Sequence, residues 1–161
     1  MTQLSSPEGR RRLAPRYLAF HAAADALFER WLAEVPGLDG VSRRRAGLVR
    51  AGLRALGLEP VVAGPPAPIL DGAPEALGFL YVVEGSTLGG RMILREVAAR
   101  AGETAGLAFM DPYGARTGEA WRAFLGVLER EVAHDPERLD RAEAGAAAGF
   151  AYARACLCGA A

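Results

Sequence analysis

Pro74 to Ala101, "PEALGFLYVVEGSTLGGRMILREVAARA", reads as one long helix, with proline in its first turn and Gly102 just past its end. Inside it stand Gly85, Gly89 and Gly90, with Ser86 and Thr87 among them. Each interior glycine costs a helix up to about 1 kcal/mol relative to alanine, because glycine surrenders the most backbone freedom on folding. A chain that keeps three of them in its longest helix has a use for bare backbone there, and a bend near Gly85 to Gly90 is expected.

The remainder is helical too. "RYLAFHAAADALFERWLAEV" places Tyr17, Phe20, Ala24, Leu27, Phe28, Trp31 and Leu32 at three- and four-residue spacings and is closed by Pro36 and Gly37. "VSRRRAGLVRAGLRALGLE" gives a second helix with Ser42 as N-cap and Leu48, Leu53 and Leu56 on one stripe. A proline- and glycine-rich connection from Glu59 leads to the long helix. "GEAWRAFLGVLEREVAHD" and the alanine-rich "PERLDRAEAGAAAGFAYARACLCG" supply two more. No segment alternates as a strand does, so the fold class is all-α, one domain over 1–161 with residues 1–15 expected to be flexible.

Nineteen basic residues balance nineteen acidic ones, which leaves no overall field to draw the chain to nucleic acid or an anionic membrane. The crowded arginines, Arg10, Arg11, Arg12 and Arg16, then Arg43, Arg44 and Arg45, read as solvated faces. Cys156 and Cys158 have no second pair to complete a zinc site and read as free thiols. Neither a secretory signal nor an apolar run long enough to span a bilayer is present, and a cytoplasmic location is expected.

Three uses suit the glycines. Close helix packing is one, and a phosphate loop is a poor second because the glycines sit inside helical sequence. The third is a slot for a flat ligand, since Gly85 and Gly89 lie one turn apart on a shared face with the Ser86 hydroxyl beside them.

"EALGFLYVVEGSTLGGRMILREV" resembles the distal helix of bacterial heme oxygenases, in particular those that accompany bacteriophytochromes. "AFMDPYG" with "TGEAWRAFLGVLE", and "LVRAGLRALGLEP", are similar to flanking segments of that family, so the resemblance covers roughly Arg43 to Arg154. It implies a heme-oxygenase-like helical domain with heme held between a proximal and a distal helix, glycines matching Gly85, Gly89 and Gly90 in contact with the porphyrin, and Ser86 helping to orient bound oxygen.

The family also needs a neutral imidazole on the heme iron. His134 reads as a surface residue, which leaves His21 as the candidate ligand. In one register "FHAAADALF", with Asp25 four residues after His21, matches the proximal motif, but a helix between Asp25 and Arg43 must then be missing. In the other, "RYLAFHAAADALFERWL" is the family's next helix, and the proximal helix is lost by N-terminal truncation. The second is simpler, needing no internal excision.

The implied activity is oxidative cleavage of heme to biliverdin, carbon monoxide and iron, with catalytic Gly85, Ser86 and Gly89 and heme contacts from His21, Gly85, Ser86, Gly89 and Gly90. The expected partners are a redox donor or a bacteriophytochrome, with a second copy of the chain in a homodimer as a further candidate. The alternative is a homologue without the chemistry that binds a tetrapyrrole or serves as a helical interaction module.

Overall fold

The computed structural model describes residues 2–159. The chain forms helices α1 (Pro7–Leu27), α2 (Gly40–Arg43), α3 (Ala46–Ala55), α4 (Ala73–Ala101), α5 (Thr117–Leu128) and α6 (Pro136–Cys158), with short 3₁₀ turns between them and no strand among the described residues. Wider π-type turns extend α1 through Phe28–Leu32 and α5 through Glu129–Ala133.

α4 is the axis of the molecule and crosses α6 at close range. A Cβ on Gly78 would lie 1.8 Å from the Ala142 carbonyl oxygen, and one on Gly145 would lie 2.0 Å from that of Glu75. Both glycines exist to let two backbones touch, the same device that small residues serve wherever helices approach closely. α4 runs unbroken through Gly85, Gly89 and Gly90 and ends at Gly102, which takes the left-handed conformation (φ 69°) usual for a residue just beyond a helix.

Two apolar clusters divide the interior. Phe20, Phe28, Leu77, Phe79, Leu80, Val83 and Phe124 belong to one; Leu18, Val49, Leu53, Val97, Leu107 and Phe109 belong to the other. The glycine segment is where α4 passes from the first cluster to the second.

The N-terminal expectation is corrected. Residues 7–15 are helical, with the Ser6 side chain accepting a hydrogen bond from the Gly9 amide as N-cap, and Arg10 and Ala14 are buried. The amphipathic reading stopped at Pro15, but a proline forfeits one helical hydrogen bond without ending a helix whose flanks are packed. The second predicted helix is in fact two. Asp25 on α1 accepts from the Arg45 and Ala46 amides, both at 2.9 Å, and so caps α3 in place of Ser42, while Asp39 caps α2. The α3 stripe is Val49, Leu53 and Leu56, with Leu48 turned outward.

Candidate functional site on the glycine helix

The arginines of the second cluster are not a solvated face. Arg43 and Arg45 are 5% and 1% exposed and converge on Glu84, itself 1% exposed, beneath α4. Arg45 donates to Glu84 Oε1 at 2.7 Å and to the Val83 carbonyl at 2.8 Å. Arg43 Nη1 lies 2.8 Å from Glu84 Oε2 as an ion pair without hydrogen-bond alignment. The Tyr113 hydroxyl donates to the same carboxylate at 2.9 Å, and burial, then the Glu84 charge, raise its pKa. Arg10 is buried as well and pairs with Glu103. A signal for this network stands in "YVVEGS": an acid amid apolar residues of a buried helix needs a cation, because a lone buried charge is too costly to keep.

On another face of α4 the helix is bare. Tyr81, Leu88 and Met92 are exposed at 38%, 42% and 71%, and Gly85 and Gly89 lie among them on the helix surface. A Cβ on Gly89 would meet nothing within 4 Å, and one on Gly85 would make only an ordinary contact, 3.7 Å, with Trp121. Tyr81 leans on Trp121, ring centroids 5.4 Å apart. Beyond Tyr81 the surface continues into an apolar groove of about 450 Å³ between α4, α5 and α6, walled by Leu125, Leu128, Val132 and Ala146.

Ser86, at the border of this face, donates to the Val83 carbonyl at 2.6 Å, so its proton is engaged inward and its lone pairs remain free to accept. Thr87 donates likewise to the Glu84 carbonyl at 2.7 Å. Both bonds turn back into α4 itself, so it is Arg45, bonded to the Val83 carbonyl and to Glu84, that ties the underside of the segment to the rest of the fold.

Gly90 belongs to a different category from its neighbour. Its Cβ would sit 2.4 Å from the Met110 carbonyl oxygen, so packing within the chain is enough to require this glycine.

His21 lies inside the fold, between α1 and α4. Its ring is buried, set among Phe20, Phe109 and Tyr17 at centroid distances of 5.3, 5.8 and 6.5 Å. It faces Ser86, Gly89, Gly90 and Ile93 across a cavity of about 190 Å³, below the roughly 300–1,000 Å³ that small-molecule sites occupy. Here α1 packs directly on α4, as Phe20 does on Phe79 at 5.8 Å, and no macrocycle fits between the two helices. Burial, and secondarily the Arg45 charge, lower the His21 pKa to about 3, so the imidazole is neutral, but Nδ1 has no partner. His134 is exposed, with Nε2 3.5 Å from Glu129. No group of three or more His, Cys, Asp or Glu side chains among the described residues is placed to hold a metal ion.

The fit to heme is therefore divided: the bare, apolar face suits a flat macrocycle, and neither histidine stands over it.

No protein-family model matches the chain. A heme oxygenase of Xanthomonas campestris pv. campestris (strain 8004) is 41% identical over 133 residues, covering 79% of this chain and 75% of that protein. A heme oxygenase from Neisseria meningitidis, solved in NO- and CO-bound forms, superposes with a TM-score of 0.78 at 27% identity, covering 94% of this chain and 76% of that one. An all-helical fold shared over nearly its whole length, with 41% identity across three quarters of a curated relative, leaves one conclusion: the chain belongs to the heme oxygenase family.

Proposed function

We propose that the chain binds heme as substrate against the open face of α4 and acts in its oxidative cleavage to biliverdin, carbon monoxide and iron. The observation that carries this reading is the pair Gly85 and Gly89, which no packing within the chain requires. A helix that forgoes side chains at two positions one turn apart, on an apolar face, gives up stability for close approach. The 41% identity to a heme oxygenase supports the same ligand.

In this reading Gly85 and Gly89 admit the macrocycle to the backbone, Tyr81, Leu88 and Met92 flank it, and Ser86 offers an acceptor at its edge. Electrons come from a redox donor. None of the described helices is long and apolar enough to cross a membrane.

The test is hemin titration of the parent chain and of Gly89→Leu. A branched side chain fills the open space outside Gly89 without touching the fold, so the variant should stay helical and lose hemin uptake. Equal affinity in the two proteins would sink the reading. Biliverdin formation with a supplied reductant then separates the enzyme from a tetrapyrrole-binding homologue, the second reading, which is favoured by the burial of His21 on a closed side of α4.

A further inference from the structure

We infer that heme seated on this chain takes its axial imidazole from outside these 161 residues, an inference that rests on the heme reading above. The sequence contains two histidines. For either to bind the iron, its imidazole must stand on the side of the macrocycle away from the α4 wall.

His21 fails on direction. It stands against Ser86, Gly89, Gly90 and Ile93, a face of α4 centred roughly a quarter of a turn from the stripe of Tyr81, Gly85, Leu88 and Met92 and meeting it at Gly89. It thus flanks the wall, held there by α1, and does not stand opposite it. Its ring is locked among three aromatic side chains and 3% exposed, so moving it over the face would require α1 to leave the core.

His134 fails on distance. Trp121 marks the level of Gly85, with its ring 3.7 Å from where a Gly85 Cβ would be. His134 follows thirteen residues later along α5 and its π-type extension, roughly 20 Å at about 1.5 Å per residue. It is exposed, lies 3.5 Å from Glu129 and is not among the residues that line the groove.

Other side chains that bind iron are no better placed. Tyr81 and Met92 rise from α4 itself and so share the wall's side, and Tyr81 is packed on Trp121. Cys156 and Cys158 lie at the end of α6, flanking Leu157, which lines the His21 cavity. The iron position opposite α4 would consequently be left for a neutral imidazole that is free in solution or carried by another polypeptide segment.

The experiment uses the full chain, ferric hemin and free imidazole as the probe, read by visible absorption and electron paramagnetic resonance. Hemin on the parent should show no nitrogen-ligated signature until imidazole is added, and then convert to one. His21→Leu and His134→Ala should behave as the parent in both conditions. An imidazole-ligated spectrum in the parent without added imidazole overturns the inference before any variant is made; its loss in one variant would name the residue responsible and leave the heme reading intact. Absence of hemin uptake with and without imidazole, or uptake unchanged by Gly89→Leu, would instead overturn the heme reading and this inference with it.

Discussion

A Cβ on Gly90 would stand 2.4 Å from the Met110 carbonyl oxygen, whereas one on Gly89 faces nothing within 4 Å, so adjacent glycines lead to opposite expectations. Gly89→Ala should stabilise the chain by up to about 1 kcal/mol through helix propensity alone. Gly90→Ala should destabilise it by about 1–3 kcal/mol, since backbone rather than a flexible side chain must give way. Denaturant midpoints at constant m-value decide both, and a stabilising Gly90→Ala would contradict the packing role. His21 carries the pH prediction. Its folded pKa of about 3 lies below the ordinary 6.5, so between these values the unfolded chain holds a proton that the folded one does not. Stability should then rise with pH from about 3 to 6.5 and level off above, the His21 share being on the order of 5 kcal/mol over that window. His21→Leu should flatten this slope; an unchanged slope would mean that the carboxylates alone produce it.

Helix existence was legible from periodicity, and element ends less so. The long helix predicted from Pro74 to Ala101 is found from Ala73 to Ala101, because proline at one end and Gly102 at the other are local signals. The break between α2 and α3 was not readable, since it is made by Asp25, twenty residues before Arg45, and a cap from another helix leaves no mark in the local sequence. Much the same holds for the arginines. In "SRRRAG" all three look solvated, yet Arg44 pairs at the surface with Glu29 while Arg43 and Arg45 turn inward to Glu84. The resemblance pointed to Gly85, Gly89 and Gly90 together, and only packing distinguishes the third from the first two. His21 was singled out as the candidate iron ligand, but which face of α4 it meets depends on how α1 packs, and that is a tertiary fact.

Across the whole molecule, α4 belongs to both apolar clusters, and the stretch between them holds bare glycines on one side and the Glu84 network on another. That network ties α4 to the α2–α3 corner and to Tyr113 in the connection before α5. Two arginines share one carboxylate, so the balance is sensitive to its loss. Glu84→Gln keeps the shape and one acceptor oxygen but leaves two guanidinium groups buried without a counter-charge, and breaking a buried pair in this way costs about 3–5 kcal/mol. The expected result is a large fall in the denaturation midpoint. Hemin affinity should fall with it, even though the open face keeps every atom, because Arg45 would no longer be held against the Val83 carbonyl and the glycine segment would lose its support from beneath. Glu84→Asp, which retains the charge on a shorter arm, should recover part of both effects. If Glu84→Gln proved as stable as the parent and bound hemin equally well, the buried charges would have no part in holding α4 in place, and the rigidity of the wall would have to come from the Gly78 and Gly145 contact with α6 alone.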